Sequence, residues 1–208
     1  MNLKIKVCGM CTSKNILEVA EQCPDFMGFI FYEKSKRFVG HDFVIPDTFP
    51  ASVRRVGVFV NESVEFILET VSKHKLDLVQ LHGNEPALVC KKLKPEVGVI
   101  KAFQVDEKFD FTTTRMFVPF VDFFLFDTKT ETYGGSGKSF DWNLLQQYNE
   151  VVPFFISGGI STQNTMKINA IRSNQLFAVD VNSGAELSPG LKDIRLIQTI
   201  KQQLQAVA

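Results

Sequence analysis

Eight short apolar runs, separated by segments with helical periodicity, constrain the fold of this chain more than any other feature. Most runs are continuous rather than alternating, as in parallel strands that are covered on both faces. Alternating strands and helices are typical of a parallel α/β protein, and eight units in 208 residues predict a compact (β/α)8 TIM barrel. We expect a single domain over residues 1–208; a doubly wound open sheet is the alternative. The runs are residues 4–7, 26–31, 53–59, 78–81, 99–103, 122–126, 154–156 and 178–181.

Helical patterns fill most of the intervals between these runs. One helix begins at Glu85 and Pro86, and either Ser161 or Thr162 is a predicted N-cap. The intervals 41–51 and 109–120 carry prolines, so we expect their outer helices to be short or irregular. The other predicted helices are residues 13–22, 63–73, 141–148, 162–171 and 193–205.

Charge balance and cysteine content argue against several classes of protein. Lys and Arg together number 23, as do Asp and Glu, so the net charge is zero, unlike that of a nucleic-acid binder. The most apolar stretch, residues 116–126, is far shorter than the ~20 residues of a membrane span, and no signal peptide is visible. Four sparse cysteines indicate a reducing compartment. We expect a cytoplasmic protein with no membrane or nucleic-acid partner, and the sequence leaves monomer and homodimer open.

Two segments near the end of the sequence indicate a phosphate site. Residues 155–160 (FISGGI) and 178–185 (AVDVNSGA) are apolar runs that end in small residues and precede a helical stretch. Backbone N–H groups exposed at such a junction bind phosphate. Paired loops of this kind follow strands 7 and 8 of many (β/α)8 barrels. The alternative is two turns whose glycines only supply a positive φ.

Cys8 lies at the end of the first predicted strand, where barrel enzymes carry their chemistry. Three interpretations stay open. A lone cysteine is most often a small apolar filler. Cys8 and Cys11 have the spacing of a redox dithiol. A thiolate favoured by Lys6 and by the following backbone N–H groups would serve as a general base. A zinc site is less favoured, because the other cysteines form no second close pair.

Two aspartates belong to predicted barrel strands. Asp127 ends the sixth strand, either as a cap or as an acid in the barrel mouth whose pKa partial desolvation would raise. Because Cys8 and Asp127 come from strands one and six, they can approach one substrate from opposite sides as base and acid. Asp180 lies inside the eighth strand, where a carboxylate needs a partner; it orients a neighbour or contacts the substrate.

Three further features follow predicted strands. Arg37 is either a solvated loop charge or a fork for a substrate carboxylate. His82 follows the fourth strand, where a structural histidine is the commoner case. The connection 128–139 is glycine-rich and fits a mobile lid. It is not a P-loop, because Thr132 and Tyr133 stand where that motif requires glycine.

Taken together, these segments resemble the phosphoribosylanthranilate isomerase family of tryptophan biosynthesis over nearly the whole chain. No single motif decides the matter, but their order along the chain is specific. The chain departs from the family pattern at Lys36, where proline is usual and would stiffen the loop that carries Arg37. The motifs are residues 6–9 (KVCG), 28–31 (GFIF), 35–37 (SKR), 56–59 (VGVF), 80–83 (QLHG), 126–128 (FDT), 134–142 (GGSGKSFDW), 157–159 (SGG) and 180–186 (DVNSGAE).

The resemblance implies a (β/α)8-barrel isomerase that uses neither cofactor nor metal and binds a small phosphoribosyl substrate. It implies that Asp127 protonates the furanose oxygen, that Cys8 removes the C2 proton and that Arg37 holds the anthranilate carboxylate. The phosphate would lie on Gly158, Gly159, Asn182, Ser183 and Gly184, and His82 and Asp180 are further substrate-binding candidates.

Rival functions remain at this point. Another phosphosugar barrel enzyme would use a lysine at a strand end, for which Lys6 and Lys101 are available, or an aspartate in place of Cys8. A non-catalytic phosphometabolite-binding protein would tolerate the loss of both Cys8 and Asp127. A dithiol oxidoreductase would require Cys11.

Overall fold

Eight parallel strands close into a barrel, so the open-sheet alternative is wrong. The computed structural model describes residues 3–129, 140–168, 171 and 173–205. Closure is made by the first and last barrel strands, in which Ile5 and Val179 are register partners. The strands are β1 (Lys4–Val7), β2 (Phe26–Ile30), β3 (Arg54–Phe59), β4 (Leu78–Leu81), β5 (Gly98–Val105), β6 (Phe123–Thr128), β7 (Phe154–Ile156) and β8 (Leu176–Val181).

The apolar runs predicted these strands closely, and the main difference concerns β6. This strand continues past its apolar run, and Asp127 is the register partner of Gln104 in β5. Asp127 therefore lies inside the strand rather than after it. The apolar run ends before the strand does, because the side chains that point to the barrel mouth are polar although their backbone still belongs to the sheet.

Five α-helices cover parts of the barrel within the described residues. Ser63 accepts a hydrogen bond from the Phe66 N–H at 3.1 Å and caps the second of them. No helix among the described residues is long and apolar enough to cross a membrane. The helices are α1 (Ser13–Ala20), α2 (Val64–His74), α3 (Ala87–Leu93), α4 (Thr165–Ile168) and α5 (Ile194–Gln205).

Several connections are irregular, in part as predicted. Residues 41–51 contain no helix, and Phe111–Phe120 is a 3₁₀ helix that includes Pro119, so the proline argument is confirmed. The predicted helix 141–148 is instead a 3₁₀ helix, Trp142–Gln147. Its buried residues Trp142 and Leu145 are three apart, which matches the three-residue repeat of a 3₁₀ helix.

The helix predicted over 162–171 is shorter than expected. It begins at Thr165, because Asn164 Oδ1 accepts a hydrogen bond from the Ser161 N–H at 2.9 Å and holds the preceding residues in a turn. Ser161 lies before the helix and makes the contacts of the predicted N-cap: its Oγ accepts from the Gln163 N–H at 3.3 Å, and its carbonyl accepts from the Thr165 N–H at 3.1 Å. Residues 169 and 170 of this predicted helix lie outside the described residues.

An apolar plug fills the part of the barrel interior nearer the strand starts. Phe26 and Phe155 meet edge to face inside it, with ring centroids 5.3 Å apart. Farther along β2 and β3, Ile30 and Val58 pack with Cys8 in a separate small cluster. The chemistry is therefore confined to the carboxyl ends of the strands. The plug consists of Phe26, Val56, Leu78, Ile100, Ala102, Leu125, Phe155 and Ala178.

A short antiparallel hairpin follows β8 and consists of β9 (Glu186–Ser188) and β10 (Leu191–Lys192). Its end is anchored on α1 by Asn15. The Lys192 N–H donates to Asn15 Oδ1 at 2.8 Å, and Asn15 Nδ2 donates to the Lys192 carbonyl at 3.0 Å. This double hydrogen bond fixes the position from which the Lys192 side chain extends.

Candidate active site

A cavity lies at the carboxyl ends of the barrel strands and contains every residue that the sequence selected. It encloses about 730 Å³ when counted out to its open mouth, a volume that includes solvent. The ten selected residues that line it are Cys8, Arg37, His82, Asp127, Gly158, Gly159, Asp180, Asn182, Ser183 and Gly184.

The loops after β7 and β8 are packed directly against each other. A methyl group built on Gly184 would lie 1.9 Å from the Ile160 carbonyl oxygen, so only glycine fits there. Gly158 and Gly159 have φ values of +92° and +64°, and a methyl group on Gly158 would lie 2.1 Å from Thr128 Oγ1. The glycines thus satisfy both a positive φ and close backbone approach.

Backbone N–H groups in these two loops are available to a ligand. Among the described residues, no protein acceptor takes a hydrogen bond from the N–H groups of Gly158, Gly159, Ser183 or Gly184. The loop after β7 is held open by Asn164, which donates to the Gly159 carbonyl at 2.8 Å. N–H groups arranged in this way form a site for an anion.

Cys8 lies almost fully buried at the base of the cavity, and its position depends on Gly28. A methyl group on Gly28 would lie 2.7 Å from Cys8 Sγ and 3.2 Å from Lys6 Nζ, so this glycine lets thiol and ammonium share one space. Burial raises the pKa of the Cys8 thiol, although the Lys6 charge opposes the effect. The general-base interpretation of Cys8 therefore starts from a thiol whose pKa is raised and not from a stabilised thiolate. The Lys6 charge only reduces the free energy needed to form the Cys8 thiolate.

Lys6 and Asp180 form a buried ion pair beneath the cavity. Lys6 Nζ donates to Asp180 Oδ1 at 2.9 Å, and their side chains are 0% and 4% exposed. Burial acts to lower the pKa of Lys6, but Asp180 and Cys8 together outweigh it and the pKa is raised. Burial likewise raises the pKa of Asp180, and the Lys6 charge opposes that effect. The inward carboxylate of β8 therefore has the partner that its position required.

Asp127 is contacted by His82, and His82 is in turn contacted by Gln80 of the fourth strand. His82 Nε2 lies 3.2 Å from Asp127 Oδ2, and Gln80 Nε2 lies 2.7 Å from His82 Nδ1. With Gln80 donating to Nδ1, the ring carries its proton on Nε2 and presents it to the carboxylate. Gln80 Oε1 is buried and has no partner among the described residues. His82 is therefore part of the site and not a remote structural histidine.

Arg37 is not a solvated loop charge, because it is buried against a carboxylate. Its Nε donates to Glu186 Oε1 at 2.8 Å and its Nη2 donates to Glu186 Oε2 at 2.6 Å. Lys192 Nζ donates to the same Oε1 at 2.5 Å. Burial acts to raise the pKa of Glu186, but the Arg37 hydrogen bond and the Lys192 charge outweigh it and hold that pKa below its ordinary value. Glu186 therefore aims Arg37 without a proline at position 36.

Four supporting residues have little signal in the sequence. Lys6 stood out only as a neighbour of Cys8, and Gln80 and Glu186 only as members of motifs. Lys192 had no signal, since it lies in a short hairpin that no periodicity marks. All four are buried or nearly buried polar side chains with charged or aromatic-ring partners in the site.

The rival uses of lysine and cysteine find little support in the structure. Lys101 is buried beneath the neighbouring loop, where it donates to Glu85 Oε2 and to the Gly83 carbonyl, both at 2.7 Å. Cys8 and Cys11 are free thiols. In the described part of the chain, no three His, Cys, Asp or Glu side chains are grouped as a metal site would need. The proposed lid over 128–139 lies outside the described residues from position 130 onward.

A closed (β/α)8 barrel with a polar, anion-type cavity at the carboxyl ends of its strands defines the class of barrel enzymes that act on small phosphorylated molecules. Residues 5–203 match the family model described as N-(5′-phosphoribosyl)anthranilate (PRA) isomerase. The chain belongs to this family.

Individual relatives agree with the family match. The N-(5′-phosphoribosyl)anthranilate isomerase of Parabacteroides distasonis is 47% identical over 204 residues, or 96% of this chain and 92% of the relative. The crystal structure of phosphoribosyl anthranilate isomerase from Thermotoga maritima superimposes with a TM-score of 0.84 at 38% identity, covering 98% and 99% of the two chains. A second structure of such an isomerase, in complex with reduced 1-(o-carboxyphenylamino)-1-deoxyribulose 5-phosphate, gives a TM-score of 0.80 at 33% identity, with the same coverage.

Proposed function

We propose that this chain catalyses the Amadori rearrangement of N-(5-phosphoribosyl)anthranilate to 1-(2-carboxyphenylamino)-1-deoxyribulose 5-phosphate in tryptophan biosynthesis. The observation that carries the proposal is the presence of Cys8 and Asp127 in one cavity with two loops of free backbone N–H groups. An aldose–ketose isomerisation needs one acid and one base, and its phosphorylated substrate needs an anion site.

The two anionic ends of the substrate have separate sites. The phosphate lies on the N–H groups of Gly158, Gly159, Ser183 and Gly184, with Asn182 beside them. The anthranilate carboxylate lies on Arg37, whose guanidinium keeps its Nη1 free of protein acceptors among the described residues. Substrate held at both ends presents its C1 and C2 atoms between Cys8 and Asp127.

Asp127 acts first, as the acid. It gives a proton to the furanose ring oxygen, the C1–O bond breaks, and the nitrogen lone pair forms the C1=N bond of a Schiff base. Asp127 enters this step protonated and leaves it as a carboxylate, which accepts the hydrogen bond of the His82 Nε2–H at 3.2 Å.

Cys8 acts second, as the base. Its thiolate takes the C2 proton, and the electrons of that C–H bond form a C1=C2 bond while the C=N electrons return to nitrogen. The resulting enolamine tautomerises to the ketone, so substrate and product are isomers and no electrons leave the molecule. Because burial raises the pKa of Cys8, only a small fraction of the protein carries the thiolate, but that thiolate is strongly basic. The Lys6–Asp180 pair beneath Cys8 determines the size of this fraction.

Loss of phosphoribosylanthranilate fluorescence tests the proposal. We expect the wild type to turn the substrate over, and Cys8→Ser and Asp127→Asn each to lose roughly 10²–10⁴-fold in kcat, the usual contribution of one acid or base. Cys11→Ala is the matched control and keeps most activity, because Cys11 does not line the cavity and its thiol contacts the backbone carbonyls of Gly9 and Arg37, not a catalytic side chain. If the wild type leaves the substrate unchanged, the isomerase proposal is wrong. If both variants stay near full rate, the acid and base are wrongly assigned.

The remaining expectations concern the state of the protein. We propose that residues 1–208 form one domain, that the protein acts in the cytoplasm and that it is a monomer or homodimer. Sedimentation equilibrium distinguishes the two oligomeric states, and a single cooperative unfolding transition supports one domain.

A further inference from the structure

Glu186 lies between two cations at the edge of the cavity. Arg37 contacts both of its carboxylate oxygens, and Lys192 Nζ contacts Oε1 at 2.5 Å. The side chains of Arg37, Glu186 and Lys192 are 9%, 5% and 0% exposed, so solvent screens their charges weakly. Arg37 lines the cavity, whereas Glu186 and Lys192 lie behind it and do not line the cavity.

The contacts of Lys192 favour its charged form. Three oxygens surround its Nζ: Glu186 Oε1, Asn182 Oδ1 at 2.7 Å and the Asn182 carbonyl at 3.4 Å. An ammonium group has three N–H donors for three acceptors, whereas a neutral amine has only two. Burial outweighs the Glu186 charge and lowers the pKa of Lys192, and the ammonium form is favoured by the three acceptors around Nζ, one of which is the Glu186 carboxylate.

The charges of the three groups add up to one net positive charge. Arg37 and Glu186 alone form a neutral pair, and a neutral pair offers a second carboxylate hydrogen bonds but little net attraction. With Lys192 the cluster is cationic, and the unpaired charge faces the cavity through the free edge of the Arg37 guanidinium.

We propose that Lys192 is a positioning residue that makes the Arg37–Glu186–Lys192 cluster net cationic and thereby selects substrates whose aromatic ring carries a carboxylate. The inference rests on the proposed binding of the anthranilate carboxylate by Arg37. Lys192 touches no substrate atom and acts through Glu186, Arg37 and Asn182.

Two ligands that differ by one carboxylate test this role. One is reduced 1-(o-carboxyphenylamino)-1-deoxyribulose 5-phosphate, and the other is the same compound without the ring carboxylate. Titration calorimetry gives their dissociation constants, which do not depend on the fraction of active protein. In Lys192→Met we expect the carboxylated ligand to bind roughly 10- to 100-fold more weakly, the scale of one charge-assisted interaction. The ligand without the carboxylate should bind as it does to the wild type.

A second substitution separates charge from packing. Lys192→Met makes the cluster neutral, and adding Glu186→Gln returns its sum to one positive charge. We therefore expect the double variant to recover most of the lost affinity for the carboxylated ligand. A structural role for Lys192 predicts the opposite, because the double variant loses more contacts than the single one. Lys14→Met, which removes a fully solvated charge, is the matched control and should change neither affinity.

The outcomes separate this inference from the proposed function. If the wild type binds both ligands equally, the carboxylate site on Arg37 is wrong and the inference falls with it. If the wild type prefers the carboxylated ligand and Lys192→Met keeps the full preference, only the inference is overturned. Equal weakening for both ligands and for inorganic phosphate, or no recovery in the double variant, also overturns it. Should Lys192→Met fail to fold, Lys192→Gln is the second uncharged variant for the same measurements.

Discussion

The buried Lys6–Asp180 pair allows stability and thiol chemistry to be separated by experiment. Replacing Lys6 with Met leaves the Asp180 carboxylate buried without its partner at 2.9 Å. Breaking a buried ion pair from one side costs about 3–5 kcal/mol. This is a large share of the roughly 5–15 kcal/mol by which a typical domain is stable. For a chain of 208 residues, the loss corresponds to a fall in Tm of roughly 6–20 °C.

Removing both charges should reverse most of this loss. In Lys6→Met/Asp180→Asn no charge is left buried alone, and we expect its free energy of unfolding to lie within about 1–2 kcal/mol of the wild type. The Cys8 thiol should still be less acidic than in the wild type, because its cationic neighbour is gone. The double variant should therefore have nearly the stability of the wild type but a lower kcat.

Urea unfolding and the kcat for phosphoribosylanthranilate measure the two effects. The reasoning is refuted if Lys6→Met is destabilised by less than about 1 kcal/mol, or if the double variant is no more stable than the single one. Recovery of full activity together with stability would show that the pair supports only the fold and leaves the thiol unaffected.

Three further predictions concern other parts of the site. Because burial raises the pKa of Cys8, the rate of its alkylation by iodoacetamide should rise about tenfold per pH unit from neutral into alkaline pH. Mass spectrometry of the peptide that contains Cys8 measures this rate, and a plateau near neutral pH would contradict the prediction. Gly184→Ala should weaken inhibition by inorganic phosphate roughly tenfold or more, because its methyl group meets the Ile160 carbonyl. Gly40→Ala meets no atom but also places alanine at a positive φ, outside the cavity lining, so it controls for backbone strain and should leave inhibition unchanged. Gln80→Leu should lower kcat roughly 2- to 12-fold with little change in KM, because one hydrogen bond that orients His82 is lost. An unchanged kcat would show that Gln80 does not contribute to catalysis.

Local signals were sufficient to predict the strands and the residues that line the cavity, but not the partners of those residues. Continuous apolar runs mark strands that are covered on both faces, and the end of each run places the next polar residue at the barrel mouth. Asp180 is paired with a lysine 174 residues away, and Arg37 with a glutamate 149 residues away. No periodicity connects residues that far apart, so the pairs become visible only when the barrel is closed.

The short outer helices were overpredicted for a related reason. Residues 141–148 and 162–171 have helical composition, but short helices gain little from propensity alone and take the form that their packing allows. Trp142 and Leu145 are buried three residues apart, and Asn164 holds a turn where a helix was expected to begin. Both effects depend on neighbours that the local pattern does not contain.

The seam between β1 and β8 has a consequence for how a newly made chain acquires activity. The Cys8 N–H donates to the Val181 carbonyl across this seam at 2.9 Å, so the thiol and the second anion loop come together only when the earliest and latest strands meet. During synthesis, a polypeptide released as far as β7 carries Cys8, the proposed base, beside a strand edge that has no partner. Such a polypeptide has seven of the eight barrel strands but no closed cavity, and β8 supplies both the closure and the second anion loop.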